Sequence, residues 1–155
     1  MAYVLGSRSM ANLIGVHPQL VAVVRRAIRI TEQDFAVHDG LRSLAEQREF
    51  VRRGVSRTMR SKHLAQEDGC GHAVDLVPYI GSQLRWEWEP IYRIAAAVRA
   101  AAEPEAAGLR WGGVWDRRLH ELGTTAEQMR SAVAAYTRRH PGPDFIDAPH
   151  FELVE

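Results

Sequence analysis

Gly71-His72-Ala73-Val74-Asp75-Leu76-Val77-Pro78 is the stretch on which the fold turns. Ala73 to Val77 has the length and the branched apolar content of a short strand, and Pro78, which has no backbone N–H to give a ladder, predicts its end. Side chains alternate across an extended chain, so Asp75 shares a face with Ala73 and Val77, whereas His72 projects with Val74 and Leu76 on the other. That alternation argues against His72 and Asp75 serving one centre.

Working towards the amino terminus, Ser56 to Gly71 is polar, glycine-bearing and without a period, and reads as a loop feeding this strand. Ser43 to Arg53 reads as a helix, with Ser43 as N-cap, Glu46 at the capping-box position and Gly54 as stop signal. Phe35 to His38 reads as a short strand closed by the turn residues Asp39-Gly40. From Gln19 to Ile30, Leu20, Val23, Val24, Ala27 and Ile28 recur at helical spacing, while Arg25, Arg26 and Arg29 fall on the solvent side and Pro18 suits the first turn. Ser7 to Asn12 has room for one short helical turn.

Towards the carboxy terminus, Glu89 to Ala107 is alanine-rich and helical, and Pro104 is expected to break it near Glu103. Leu109-Arg110-Trp111 reads as a strand before a Gly112-Gly113 turn, and Thr125 to Arg138 as a helix capped by Thr124 or Thr125. The last strand is Pro149 to Val154, with His150 and Glu152 on one face and Phe151 and Leu153 turned to the core. No repeat or low-complexity linker interrupts the 155 residues. The expectation is one α+β domain over 1–155, with a small, mainly antiparallel sheet flanked by helices.

Composition narrows the function classes. Twenty Lys and Arg against 19 Asp and Glu leave a formal charge of +1, which gives no electrostatic case for a nucleic-acid partner. The single cysteine, Cys70, excludes an intrachain disulfide. The first residues lack the basic leader and apolar run of a secretory signal. No stretch approaches the roughly 18 apolar residues of a membrane span, so no stable membrane insertion is expected.

Two polar clusters can carry chemistry: Ser61-Lys62-His63 with Gly71-His72-Ala73-Val74-Asp75, and Asp147-Ala148-Pro149-His150. Together they supply two imidazoles and a carboxylate for zinc, with a further carboxylate to spare. Three protein ligands leave a fourth position open, the mark of a catalytic rather than a structural site. Glu152 shares a strand face with His150; either spare carboxylate, Asp147 or Glu152, could serve as a base, and for Glu152 holding a ligand or substrate group is the preferred reading. A local knuckle made by His63, Cys70, His72 and Asp75 is disfavoured by the lone cysteine, the irregular spacing and the availability of His150.

These motifs, Ser-x-His, Gly-x-Ala-x-Asp and Asp-x-Pro-His, resemble the D-Ala-D-Ala carboxypeptidase (VanY-like) family of zinc peptidases within the wider lysostaphin and hedgehog-like group. The similarity is greatest to phage L-alanyl-D-glutamate endolysins. It extends through His17-Pro18-Gln19-Leu20, Gly40-Leu41-Arg42-Ser43 and Leu109-Arg110-Trp111-Gly112-Gly113-Val114-Trp115, in the same order along nearly the whole chain. One departure is the longer gap between His63 and Gly71, where residues 65–70 look like an insertion beside the site.

The resemblance implies a hedgehog/D-Ala-D-Ala-peptidase-like fold and a zinc-dependent endopeptidase acting on the L-Ala–D-Glu bond of bacterial peptidoglycan. It implies His63, Asp75 and His150 as metal ligands and Asp147 as general base and acid. Arg42 would stabilise the oxyanion or bind a substrate carboxylate, and Ser61 would bind substrate or satisfy its own loop. A D,D-carboxypeptidase or dipeptidase of the same family, and a zinc-bearing binding module without activity, are the alternatives. A monomer is expected, made in the host cytoplasm and acting on the wall after release.

Overall fold

The computed structural model describes residues 2–56, 58–142 and 146–154. Its elements in chain order are α1 (Ser7–Asn12), α2 (Pro18–Ile30), β1 (Phe35–Asp39), α3 (Leu44–Arg52), β2 (Ala73–Ile80), β3 (Gln83–Leu84), α4 (Trp88–Ala102), β4 (Leu109–Trp111), α5 (Ala126–Arg139) and β5 (His150–Leu153), with a 3-10 turn at Leu119–Glu121. The sheet runs β1-β2-β5-β4, and β3 pairs with the distal end of β2. Every pairing in it is antiparallel, and β5 lies between β2 and β4. This is the α+β arrangement expected from the sequence.

Helix α2 buries Leu20, Val23, Val24, Ala27 and Ile28, the residues that share its apolar stripe. It packs against α4, whose Ile91, Ile94, Ala95 and Val98 are buried in turn, and α4 also contacts β2 and α5. Alanines on α4 let the neighbouring helices approach closely, while Trp111 and Phe151 fill the core where β4 meets β5. Their rings stack at 6.3 Å.

Strand β2 does not stop at Pro78 but continues to Ile80. Tyr79 N–H donates to Asp34 on the β1 side, while the Pro78 carbonyl accepts from Arg85 on the opposite edge. The proline nitrogen faces that opposite edge, where β5 has ended and the two-residue β3 has not begun, so the absent N–H removes no ladder bond. Helix α4 begins at Trp88 and ends at Ala102 with Glu103 as its C-cap, where Pro104 is expected to break it. Neither β3 nor the 3-10 turn is expected from the sequence.

The predicted capping box of Ser43 with Glu46 forms on α3, and Thr125, one of the two expected caps of α5, forms a further box with Gln128. The segment between α3 and β2 is the expected loop, of which Arg57 lies outside the described residues. Residues 65–70 fold back as a tight turn, with Gln66 N–H donating to Cys70 O and Gly69 N–H to Gln66 O. A register shift between Val37 and Asp39 makes Asp39 the partner of Asp75 in β2. Such a bulge re-aims side chains, and here it sends the Asp39 carboxylate towards Arg42. Among the described residues no helix is long and apolar enough to cross a membrane.

Candidate metal centre and active site

Asp75 and His150 are direct partners across β2 and β5, so the sheet itself brings together two residues 75 positions apart. His63 arrives from the loop before β2. The Ser61 hydroxyl accepts its backbone N–H at 3.1 Å, and Arg42 N–H donates to its carbonyl at 2.8 Å. Its ring Nδ1 lies 2.8 Å from Gly40 O. A carbonyl only accepts, so Nδ1 carries the hydrogen and the Nε2 lone pair is turned inward.

His150 is set in the complementary way. Its Nε2 lies 2.9 Å from Glu152 Oε1, two residues along the same strand, which places the hydrogen on Nε2 and leaves Nδ1 as the inward lone pair. Both inward atoms converge on Asp75 Oδ1, with His63 Nε2 at 3.3 Å and His150 Nδ1 at 3.4 Å. The ring centroids are 5.0 Å apart. His63 Nε2 and Asp75 Oδ1 are both buried, and neither makes a well-formed hydrogen bond.

Buried polar atoms without partners are costly, and these two, with His150 Nδ1 beside them, make three lone-pair donors close enough for one cation to satisfy. A tetrahedral zinc with bonds of about 2.05 Å has ligand atoms about 3.3 Å apart. The residues therefore fit a metal ion of that kind. Any ion held here would also gain from the carboxylate of Asp147, whose Oδ2 is 4.0 Å from His150 Nδ1.

The electrostatics describe the same centre with protons in place of a cation. Burial alone would raise the Asp75 carboxyl, yet the adjoining imidazoles of His150 and His63 hold it well below the usual carboxylate range. For His150, burial opposes the charged form, but Asp75 and Glu152 outweigh it and raise the imidazole to about 10. Asp147 is pushed upwards, chiefly by burial and then by the charge of Asp75. A partly buried carboxylate with a raised affinity for protons is suited to taking one up and giving it back.

Two glycines make the geometry possible. A Cβ on Gly112 would stand 2.1 Å from Asp147 O, and this close approach lets Asp147 N–H donate to Gly112 O while Gly112 N–H donates to His150 O. A Cβ on Gly40 would stand 2.0 Å from Asn12 O, so the residue that orients His63 tolerates no side chain either. From the sequence these positions read only as turns; their contact partners are 23 or more residues away.

Arg42 is buried beside this centre. It donates to Asp39 through Nε at 3.0 Å and Nη2 at 2.5 Å, and through Nη1 to Gln47 at 2.6 Å. Its guanidinium lies 4.4 Å from the Phe50 ring centroid, and Nη2 is 3.9 Å from Asp75 Oδ2. Gln47, fully buried on α3, reaches on to Ser56 Oγ and Thr58 O. Sequence reading missed both Asp39 and Gln47; a glutamine on the inward side of a short polar helix was the available signal.

Arg42, Ser61, His63, Asp75, Asp147 and His150 line one cleft of about 990 Å³, and Glu152 also borders it. Trp115 forms part of the wall, its ring 5.3 Å from that of His150, while Trp111 is core and donates Nε1–H to Ala148 O. His72 lies apart, 2.7 Å from Asp68 and against His17. Cys70 is a half-buried free thiol, and it joins none of the metal-binding groups found among the described residues.

The profile of the phage L-alanyl-D-glutamate peptidase family matches residues 1–154. The L-alanyl-D-glutamate peptidase of Escherichia phage T5 is 29% identical over 120 residues, covering 75% of this chain and 84% of that protein. The peptidase of the same name from Listeria phage A118 is 30% identical over 112 residues, which span 70% of this chain but 37% of that relative. The crystal structure of Serratia marcescens L-Ala D-Glu endopeptidase ChiX is similar with a TM-score of 0.71 and 38% identity, covering 97% of this chain and 90% of that one. Matched by the family profile almost from end to end, and by a solved structure over nearly its whole length, the chain belongs to the phage L-alanyl-D-glutamate peptidase family.

Proposed function

We propose that this protein is a zinc-dependent endopeptidase that cuts the L-Ala–D-Glu bond in the stem peptides of bacterial peptidoglycan. The observation that carries the reading is the convergence of two inward imidazole lone pairs on Asp75 Oδ1, with Asp147 at the rim, in a chain of this family. His63, Asp75 and His150 hold the ion. Zinc bound there supplies Lewis acidity to the scissile carbonyl and the attacking water.

The protein's own groups do the rest. Asp147 takes the water proton and returns it to the departing amine of D-Glu, so that the amide C–N bond breaks to give a carboxylate and a free amine. Arg42 has five N–H groups, of which three are committed to Asp39 and Gln47. The other two serve the developing oxyanion or a substrate carboxylate, and Asp39 and Gln47 fix the plane in which they point. Ser61 holds the His63 backbone and turns its hydroxyl hydrogen to substrate. Glu152 orients His150, an engagement that leaves Asp147 as the base.

The protein works as a monomer, accumulates in the host cytoplasm, and meets the wall when another agent opens the membrane. Digestion of uncross-linked muropeptides, with labelling of the new amines, tests the bond. Free D-Glu amino termini with intact D-Ala ends are expected. Release of D-Ala without new D-Glu amines would instead make it a carboxypeptidase, and no cleavage by the zinc-loaded protein would make it a binding module.

A further inference from the structure

A second group of metal-ligating side chains stands outside the cleft: His17, Asp68 and His72 offer ligand atoms that all lie within 4.8 Å of one another. His72 Nε2 is 2.7 Å from Asp68 Oδ2, and His17 Nε2 is 3.8 Å from the same oxygen. The two rings meet edge to face at 5.2 Å. Asp68 belongs to the 65–70 turn, and its other oxygen accepts the Cys70 N–H at 2.9 Å.

Backbone hydrogen bonds pin the start of α2 to the entry of β2: His17 N–H donates to Gly71 O, Gly71 N–H to Gly15 O, and His72 N–H to Lys62 O. The cluster is thus held by the start of α2, the turn and the entry to β2, and it shares no residue with the first centre. We propose that His17, Asp68 and His72 form a second, weaker binding site for a first-row divalent cation such as zinc. Two imidazoles and one carboxylate select such ions over calcium or magnesium, and the half-exposed position leaves room for water ligands.

The tautomers explain why the site is the weaker of the two. In the first centre each ring donates outward, to Gly40 O or Glu152, and its lone pair is already inward. His17 is set the other way: its Nδ1 accepts the Gln19 N–H at 3.0 Å as the N-cap of α2, which puts the hydrogen on Nε2. To ligate through Nε2 the ring must move that hydrogen to Nδ1 and give up the cap. A cap of this kind is worth roughly a five- to tenfold factor in an equilibrium. An ion here also ties the 65–70 turn to α2, next to the loop that carries His63.

The test is to titrate the metal-stripped full chain with zinc, counting bound ions by native mass spectrometry and ranking affinities with a chromophoric chelator. Two equivalents are expected, the second weaker by about tenfold or more. His63→Ala removes the tighter one; Asp68→Asn and His72→Ala each remove the weaker and leave the tighter. Asp68→Asn keeps an oxygen for Cys70 N–H, so an unchanged circular dichroism spectrum and Tm verify its fold. A single equivalent in the wild type, or a second one that survives both Asp68→Asn and His72→Ala, overturns the proposal. If Asp68→Asn removes the weaker ion while His63→Ala leaves the tighter in place, the second site stands and the assignment of the first fails.

Discussion

Replacing Glu152 with glutamine separates two roles that a carboxylate beside a metal centre can play. Glu152 Oε1 accepts from His150 Nε2 at 2.9 Å in a buried setting. Glutamine keeps the length of the side chain and an accepting oxygen, so His150 keeps its tautomer, but the acceptor loses its charge. A hydrogen bond to a charged group contributes about 1.5–3 kcal/mol and a neutral one about 0.5–1.5, so the difference is about 1–1.5 kcal/mol. That corresponds to roughly a tenfold weaker zinc affinity, the low end of the effect expected for a group that orients a metal-bound histidine.

Glu152→Ala goes further, because it leaves a buried N–H without a partner at a cost of about 1–3 kcal/mol. Chelator competition at fixed pH measures both variants, and turnover at saturating zinc is recorded alongside. Expected are a zinc Kd raised about tenfold in Glu152→Gln, more in Glu152→Ala, and turnover largely restored when the site is filled. An unchanged Kd in a folded Glu152→Gln, or a filled variant that is inert while Asp147→Asn remains active, would refute the reasoning and move the base to Glu152.

Asp147→Asn is expected to bind zinc with wild-type stoichiometry and to lose about 100- to 10,000-fold in kcat, measured on defined muropeptides, because an amide cannot accept the water proton. Gly112→Ala forces a methyl to within 2.1 Å of Asp147 O; urea denaturation should show a loss of about 1–3 kcal/mol, and kcat should fall while zinc stoichiometry holds. Asp116 is held down to about 2, first by the Arg139 guanidinium and then by His140. Its stabilising effect is therefore fully present above the ordinary carboxylate value and is lost as pH falls through about 2. At this half-exposed ion pair the effect is under about 1 kcal/mol, so the stability gap between wild type and Asp116→Asn, from urea denaturation, should narrow between pH 4 and pH 2.

Much of the fold was legible because its signals are local. Ser43 with Glu46 marks the start of α3, and the apolar stripe from Leu20 to Ile28 marks the buried side of α2. Pro78 misled for a reason invisible in one strand: whether a missing N–H matters depends on which neighbour faces that edge. The short β3 has two exposed residues and no periodicity to detect.

At the site, strand alternation correctly set Asp75 apart from His72, and the motifs named the residues that the fold brings into one cleft. The supporting contacts were not legible. Gly40 meets Asn12 and His63, Gly112 meets Asp147, and Gln47 links Arg42 to Ser56 and Thr58. These pairings are set by packing between distant segments, which a single sequence does not encode at any fixed spacing.

The interior position of β5 has a kinetic consequence for whatever ion the first centre holds. Sheet edges fray readily, whereas central strands separate only when much of the structure opens. His150 lies on the strand flanked by β2 and β4, and its partner Asp75 lies on the strand flanked by β1 and β5. Neither backbone moves on the excursions that loosen an edge, so an ion held there would leave into the cleft by way of His63, the ligand on a loop, without the sheet having to open. A chelator entering the cleft would then meet two ligands preset by the sheet, and its speed in stripping the ion would report the motion of the loop that carries His63.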